Sequence, residues 1–345
     1  MGLPTETVYG LGADASDPVA VGKIFNAKGR PSDHPLIVHV AAFDGGMGGV
    51  AHYCARVPAF AQQLMSAFWP GPLTLILPRK EGVGEAAAGG QNSIGLRCPA
   101  HPVAQAVLAA LRKPSDGGRE VWGIAAPSAN KFGRVSPTTA AHVHSEFGDD
   151  LLILDGGPCE VGIESTIIDC TRGAPVLLRP GSISRTQVEA ACGRKLLSKE
   201  ELLAQEERGL TAPRASGTLE SHYAPDATVR LMDAKALQTA LGLLDGALDQ
   251  ASNTRGPAIA VYARSKLKNV PRQILLRTMP QAASVTAHEL FSVLRELDAL
   301  RVLYRAALDE IARRRIRSSQ VDLGALPCCG HGNKDHAFEG CMVGW

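Results

Sequence analysis

The chain has 345 residues, of which 45% are hydrophobic, 5% aromatic and 20% charged. This mixture excludes disordered, collagen-like and coiled-coil proteins, and the length corresponds to about two domains of roughly 150 residues each. Lys and Arg number 36 against 34 Asp and Glu, a net charge of +2, so the overall charge gives no sign of a nucleic-acid or membrane-surface binder.

The pattern of apolar residues also bears on the compartment. No apolar run approaches the ~20 residues that cross a bilayer, and the first residues show no secretory signal. Eight cysteines spread over so long a chain are typical of reduced thiols rather than of a disulfide framework. We therefore expect a cytoplasmic protein that does not bind a membrane.

Hydrophobic periodicity predicts strands and helices in mixed order. In the first part of the chain we expect helices at 18–27, 58–67 and 102–112, and strands at 36–40, 73–77, 93–97, 124–126, 151–154, 165–169 and 176–179. In the second part we expect strands at 228–232, 258–262 and 273–277, and helices at 234–244 and from 283 onward. Because some strands follow helices and others follow strands, this pattern predicts an α/β fold with an α+β-like mixed, twisted sheet.

Composition divides the chain into four segments. Residues 1–195 hold the first domain, 196–225 have the Gly, Pro and Ser content of a linker, 226–318 form a smaller α/β domain, and 319–345 form an irregular Cys-rich tail. The tail contains cysteines and histidines that could bind zinc. Adjacent cysteines rarely face one metal ion, so we favour a tail without zinc.

Common catalytic motifs are missing from the sequence. There is no G-x-x-x-x-G-K-[ST] loop, no G-x-S-x-G elbow and no H-E-x-x-H helix. Residues 10–15 match G-x-G-x-x-A, but the polar segment 4–9 precedes them where a dinucleotide fold needs a buried strand. The sequence therefore argues against P-loop, hydrolase, zincin and dinucleotide-binding proteins.

Cationic side chains lie in short polar segments next to predicted strands. Lys28 and Arg30 flank Gly29 in a turn stiffened by Pro31 and could bind phosphates, although a solvated basic turn is the simpler alternative. Arg97 ends an apolar strand, where burial requires an anionic partner. That partner is either a substrate carboxylate or a carboxylate of the protein.

Hydroxyl groups and small residues accompany these cations in segments 127–138 and 162–166. The combination lacks a nucleophile–base pair and a metal cage. It suits an anionic nucleotide bound beside a small zwitterion, with catalysis by positioning and charge stabilisation.

Seven segments, in order along the chain, resemble the YrdC-like threonylcarbamoyl-AMP synthases; they are residues 4–12, 28–39, 68–77, 93–102, 126–138, 155–166 and 177–181. The resemblance covers about the first 190 residues. Residues 213–225 are similar to the linker of the two-domain members, and 226–300 to their smaller Rossmann-like domain.

The resemblance implies an enzyme that joins L-threonine, bicarbonate and ATP into L-threonylcarbamoyladenylate and releases pyrophosphate. The product would pass to the machinery that threonylcarbamoylates adenosine in tRNA, with weak contact to tRNA itself. By the same resemblance, Lys28 and Arg30 would stabilise charge at the reacting phosphate, with Mg²⁺ on the phosphate chain. The residues expected around threonine are Thr7, His39, Arg97, Ala126 and Ser165. Those expected around ATP are Arg30, His34, Ser93, Ser128, Ser136, Arg179 and Tyr223.

Three departures from the family pattern are visible. His34 replaces a residue that is commonly Asn, which would make its contribution pH-dependent. The helix and strand that usually precede the Pro4–Gly12 segment are not seen, so we expect a sheet strand to be missing and Thr7 to be poorly anchored. The second domain looks incomplete. These departures leave a catalytically impaired variant open, alongside a non-catalytic RNA-binding module and, ranked lower, a carbamoyl-transfer module.

Overall fold

The computed structural model describes residues 1–42, 45–113, 118–197, 201, 213, 224–225, 227–248, 259–299 and 340–344. The chain forms two units, one of residues 1–132 and 136–219 and the other of residues 133–135 and 220–345. Tyr223 and most of the segment 196–225 lie outside the described residues.

Short strands and medium-length helices make up the first unit. Its strands are β1 (Gly2–Leu3), β2 (Gly10–Leu11), β3 (Ala13–Asp14), β4 (Ile37–His39), β5 (Leu73–Pro78), β6 (Ser93–Arg97), β7 (Ile124–Ala125), β8 (Thr166–Asp169) and β9 (Val176–Arg179). Its helices are α1 (Pro18–Lys28), α2 (Met47–Tyr53), α3 (Ala59–Phe68), α4 (Glu85–Ala88), α5 (Pro102–Arg112), α6 (Ala140–Phe147) and α7 (Arg185–Cys192).

Seven of these strands form one mixed sheet in the order β3-β7-β4-β6-β5-β8-β9. The pairs β4–β6 and β5–β8 are parallel, whereas the other neighbours are antiparallel. Parallel neighbours require crossovers and antiparallel neighbours allow direct turns, so this sheet combines both kinds of connection. The predicted α/β fold with a mixed sheet is confirmed.

The two faces of the sheet have different surroundings. Val38, Leu75 and Leu96 point into the main hydrophobic core of the unit. Since side chains alternate along a strand, the neighbours of these residues point to the opposite face. That face carries a separate small cluster built on Ile37 and Ile76.

Local sequence explains how α1 begins and ends. Asp17 caps the first turn by accepting hydrogen bonds from two backbone N–H groups, and Pro18 fits the first helical position. Gly29 ends the helix at φ 64°, a left-handed conformation that costs glycine little. The turn sends the chain back so that Lys28 and Arg30 are both buried.

The second unit contains a four-stranded sheet. Its elements are β10 (Thr228–Leu231), α8 (Ala234–Leu248), β11 (Ile259–Ala263), β12 (Ile274–Thr278), α9 (Ala283–Ala299) and β13 (Gly340–Gly344). The sheet order is β10-β13-β11-β12, with β11 and β12 parallel and β13 antiparallel to both of its neighbours. Its core includes Leu237, Leu241 and Val261.

Strand β13 differs from the sequence-based expectation of an irregular tail over 319–345. Residues 340–344 pair with β11, and four of them, 341–344, also pair with β10, although their sequence, Gly-Cys-Met-Val-Gly, is too short and glycine-rich to give a strand signal. Cys328, Cys329 and His331 lie outside the described residues. None of the described helices is long and apolar enough to cross a membrane.

Candidate active site

A row of side chains crosses the first sheet on the face opposite its main core. His39 pairs in register with Arg97, Arg97 with Thr74, Thr74 with Ile167, and Ile167 with Arg179. Directly opposed residues on neighbouring strands project to the same face. Strand register therefore brings together groups that are up to 140 positions apart in sequence.

Arg97 is surrounded by protein partners. Its Nη1 donates to Thr7 Oγ1 at 2.7 Å and its Nε to the Gly71 carbonyl at 3.2 Å. Its Nη2 lies 2.6 Å from Oε1 of Glu6, whose Oε2 accepts a hydrogen bond from the Ala100 N–H. Both side chains of this ion pair are buried. Of the two anionic partners left open by the sequence, the structure shows the protein carboxylate.

Thr7 is firmly held, contrary to the expectation that it would be poorly anchored. Its side chain is fully buried, and its Oγ1 lies 3.0 Å from Thr5 Oγ1 as well as accepting from Arg97. Thr5 Oγ1 in turn donates to the Val8 carbonyl at 2.6 Å, which fixes the turn between the two threonines. The anchoring therefore comes from side chains of the same segment and from β6.

His39 stands next to Arg97 in the row and is buried. Burial, followed by the nearby Arg97 charge, lowers the pKa of His39 to about 3. The imidazole is therefore neutral at physiological pH and adds no charge beside the guanidinium.

A second group of polar side chains lies at the other end of the row. Arg179 donates to the Ser165 carbonyl at 3.0 Å and to Ser165 Oγ at 2.9 Å, and lies 3.4 Å from Glu164 Oε2. Ser136 Oγ donates to Glu164 Oε1 at 2.7 Å. Ser165 Oγ is 2.8 Å from Thr74 Oγ1, which connects this group to the strand beside Arg97.

Lys28, the last residue of α1, is buried, and its side chain reaches the turn that follows β7. Its Nζ donates to the carbonyls of Ser128 and Asn130, each at 2.5 Å. Burial, followed by the repulsion from Arg30, lowers the pKa of Lys28 to about 7. The alternative interpretation, that Lys28 lies in a solvated basic turn, is therefore wrong. Its side chain instead fixes the backbone around Ser128.

Arg30 and His34 both lie against the aromatic ring of Phe132. Arg30 Nη2 donates to the Pro35 carbonyl at 3.0 Å, and its guanidinium carbon lies 5.9 Å from the centre of the Phe132 ring. The His34 ring packs against the edge of Phe132 with their centres 5.6 Å apart. Phe132 thus joins two residues expected near the nucleotide.

Two further residues that were predicted to bind substrate, Ala126 and Ser93, lie in or beside strands of the first sheet. Ala126 is buried next to β7, and its N–H donates to the Ile37 carbonyl at 3.0 Å. Ser93 begins β6, at the opposite end of that strand from Arg97, and is half-buried. The structure thus brings Thr7, His39 and Arg97 together, whereas Ser93 stands apart from them.

The sequence analysis did not single out Glu6, Glu164 or Thr74. Both carboxylates lie in segments that resemble the family, 4–12 and 155–166. The sign of their role in the sequence is that each stands next to residues with hydroxyl groups. Thr74 alternates with apolar residues in β5, so its position gives no sign of a polar role. Within the described residues, no three His, Cys, Asp or Glu side chains form a group that could hold a metal ion.

This arrangement can bind anions and hydroxyl groups. Two buried guanidinium groups, at Arg97 and Arg179, are fixed by several hydrogen bonds each and so keep a defined orientation. Planar guanidinium forks recognise carboxylates and phosphates. Pre-oriented charge in a buried site stabilises developing negative charge without reorganisation.

Comparisons with known proteins give a consistent result. The Sua5/YciO/YrdC family model, described as "Telomere recombination", matches residues 1–181, and the model described as "Threonylcarbamoyl-AMP synthase, C-terminal domain" matches residues 183–317. The threonylcarbamoyl-AMP synthases of Pyrococcus abyssi and Bacillus subtilis are 41% and 43% identical to this chain over 232 and 233 residues. These matches cover 67% of this chain, and 63% and 62% of the two relatives.

The chain thus spans somewhat less than two thirds of these relatives' length. Among solved structures, the crystal structure of P. abyssi Sua5 complexed with L-threonine matches with a TM-score of 0.70 and 35% identity, over 87% of this chain and 82% of that chain. The second family model begins at residue 183, inside the first structural unit, which extends to residue 219. The chain therefore belongs to the Sua5/YciO/YrdC family and continues into the C-terminal domain that the second model defines.

Proposed function

We propose that the chain is a threonylcarbamoyl-AMP synthase, a nucleotidyltransferase that converts L-threonine, bicarbonate and ATP into L-threonylcarbamoyladenylate and pyrophosphate. The observation that supports this most directly is the buried Thr7–Arg97 pair in a chain 35% identical to a Sua5 solved with L-threonine. The product would supply threonylcarbamoyl transfer to tRNA, and the proposed location is the cytoplasm.

In this proposal the threonine side of the site is the row near Arg97. The guanidinium binds the substrate carboxylate, and the hydroxyl groups of Thr7 and Ser165 bind its polar groups. Neutral His39 and small Ala126 shape the same side. Burial of these groups excludes water from the carbamate, which decomposes readily.

The nucleotide side contains the remaining cations. A carbamate oxygen attacks the α-phosphorus of ATP and pyrophosphate leaves, so negative charge develops on the phosphate oxygens. Arg30 and Arg179 stabilise that charge, and Ser128 and Ser136 offer hydroxyl groups nearby. Lys28 fixes the turn that presents Ser128. The negative charge of bound phosphates favours its protonated form, which then contributes a further positive charge. Such catalysis acts by positioning and electrostatics.

Mg²⁺ accompanies ATP in this proposal. The donor set near Arg179 offers one carboxylate, Glu164, which accepts a hydrogen bond from Ser136 and forms an ion pair with Arg179. Mg²⁺ keeps several waters and is commonly bound through substrate phosphates with one or two carboxylates. The residues therefore fit a metal ion held by the ATP phosphates, where it neutralises phosphate charge.

Pyrophosphate release tests the proposal. The full chain is incubated with ATP, Mg²⁺, bicarbonate and L-threonine, and pyrophosphate and the adenylate product are measured. We expect release that requires both L-threonine and bicarbonate and that falls strongly when L-serine replaces threonine. Folded protein that releases no pyrophosphate would overturn the proposal. Salt-sensitive RNA binding without any nucleotide requirement would favour an RNA-binding module instead.

A further inference from the structure

A cavity of about 210 Å³ lies where α3 begins, apart from the row of side chains around Arg97. Residues of the first turn of α3, of the chain after β8 and of the loop after α7 line it. Ser165 directly precedes β8, whereas Cys170, which lines the cavity, directly follows it. The four residues of β8 span about 13 Å, so the cavity is a separate site at the other end of this strand.

The wall of the cavity is positively charged. Arg56 and Arg194 line it and are exposed, so a dissolved ligand can reach both. None of the described residues that line it is an Asp or Glu, and burial keeps the Cys170 thiol uncharged by raising its pKa. The Asp169 carboxylate, which precedes Cys170, is neutralised by Arg172, whose Nε lies 2.8 Å from its Oδ2. The cavity therefore suits a negatively charged ligand.

Both arginines have N–H groups left for a ligand. Arg194 Nη1 donates to the Gly173 carbonyl at 3.0 Å, and the guanidinium carbon lies 5.2 Å from the centre of the Phe60 ring. These two contacts hold the side chain in position, while a guanidinium has five N–H donors in all. Within the part of the chain that the structure describes, Arg56 forms no hydrogen bond or ion pair. Its guanidinium is therefore available to a ligand in full.

The first turn of α3 adds backbone donors to the same wall. The Pro58 carbonyl accepts the N–H groups of Ala61 and Gln62, and no side chain caps the helix. Among the described residues, the N–H groups of Ala59 and Phe60 thus have no acceptor, and both residues line the cavity. The start of a helix also carries partial positive charge, which favours an anion. These donors supplement the two arginines.

We propose that this cavity is a second ligand site, which binds a small phosphomonoester independently of the proposed function. A phosphomonoester offers three acceptor oxygens and nearly two negative charges, which match two guanidinium groups and the N–H groups of α3 better than a carboxylate does. Val57 and Pro58 form an apolar part of the wall, against which the organic group packs. The volume is below the roughly 300–1,000 Å³ of sites for drug-sized ligands, so the organic group is small.

Isothermal titration calorimetry on the full chain tests this inference. Phenyl phosphate, inorganic phosphate and benzoate are titrated into the wild type, Arg56→Ala and Arg194→Ala. We expect the wild type to bind phenyl phosphate at least tenfold more tightly than either of the other two, because only phenyl phosphate has both the phosphate and the apolar group. Each substitution should weaken phenyl phosphate binding at least tenfold. Since both arginines are exposed, the thermal unfolding midpoint of each variant should stay within about 2 °C of the wild type.

Arg119→Ala provides the matched control. Arg119 is another exposed arginine of the first unit, paired with Asp14, and it does not line the cavity. Its substitution removes the same charge from the protein and should leave the affinity for phenyl phosphate within twofold of the wild type. The comparison separates a built site from general attraction to a positively charged surface.

Three results would each overturn the inference. They are a folded wild type that shows no saturable binding of phenyl phosphate, an affinity for inorganic phosphate equal to that for phenyl phosphate, and equal losses in Arg56→Ala and Arg119→Ala. Binding that is lost in Arg56→Ala and Arg194→Ala and kept in Arg119→Ala supports it. None of these results bears on pyrophosphate release, which tests the proposed function separately.

Discussion

Carboxylates of the chain itself accompany both guanidinium groups of the site. Arg97 pairs with Glu6, and Arg179 lies near Glu164. Removing one partner of a buried ion pair leaves an uncompensated charge, which costs about 3–5 kcal/mol. Residues that bind substrate in this proposal are therefore also important for stability, and their substitution affects both properties.

Arg97→Ala should lower the free energy of unfolding by about 3–5 kcal/mol, because Glu6 would remain buried without its partner. Arg277→Ala is the control, since Arg277 and Glu296 form an exposed pair of the second unit. Its cost should be about 0–1 kcal/mol. Urea unfolding monitored by circular dichroism measures both. Equal losses in the two variants would contradict the prediction.

Lys28 should make stability depend on pH. Its pKa is about 7 in the folded protein against an ordinary value of 10.5. Between these values the unfolded state holds a proton that the folded state has lost, so stability rises with pH in this window. We expect the free energy of unfolding of the wild type to rise between pH 7 and pH 10 relative to that of Lys28→Met.

Urea unfolding of both proteins at several pH values measures this difference. Its slope can reach at most about 1.4 kcal/mol per pH unit for one proton. A difference that stays constant from pH 7 to pH 10 would show that Lys28 keeps its proton in the fold, held by the Ser128 and Asn130 carbonyls.

At the scale of elements, two glycines should respond in opposite directions to substitution by alanine. A Cβ at Gly181 would lie 2.5 Å from the Thr166 backbone nitrogen, so Gly181→Ala should force the start of β8 to move, at a cost of typically 1–3 kcal/mol. A Cβ at Gly22, inside α1, meets nothing within 4 Å. Gly22→Ala should therefore stabilise the protein by about 0.5–1 kcal/mol.

Thermal and urea unfolding of the two single variants test these signs. Gly181→Ala should also weaken binding of L-threonine, since the moved segment holds Ser165. Stabilisation by both substitutions, or by neither, would contradict the packing argument.

The elements that sequence predicted correctly have strong local signals. Strand β6 and helix α5 have the predicted limits, because an apolar strand run ends at Arg97 and Pro102 starts the helix. Helix α6 was missed because it is only eight residues long. Its apolar stripe consists of Ala140, Val143 and Phe147, which gives too few repeats for a periodic signal. The contact of Glu6 with Arg97 joins the turn between β1 and β2 to the end of β6, and no periodic pattern relates these two residues.

At the scale of the whole molecule, the second unit depends on a strand from distant sequence. Removing residues 340–345 would leave β10 and β11 without the strand that lies between them. We expect amide hydrogen exchange to become faster in 228–231 and 259–263 while β5 and β6 keep their protection. Unchanged exchange in β10 and β11 would show that β13 does not stabilise that sheet.

The order of strands in the second sheet also has a consequence for biosynthesis. At about 5–20 residues per second, the ribosome makes β13 on the order of ten seconds after β10. During that interval β10 and β11 cannot complete their backbone hydrogen bonds, and such unpaired edges are templates for association with other chains. The first unit meanwhile has all of its strands. The nascent second domain is thus the part of this protein for which chaperones would matter most.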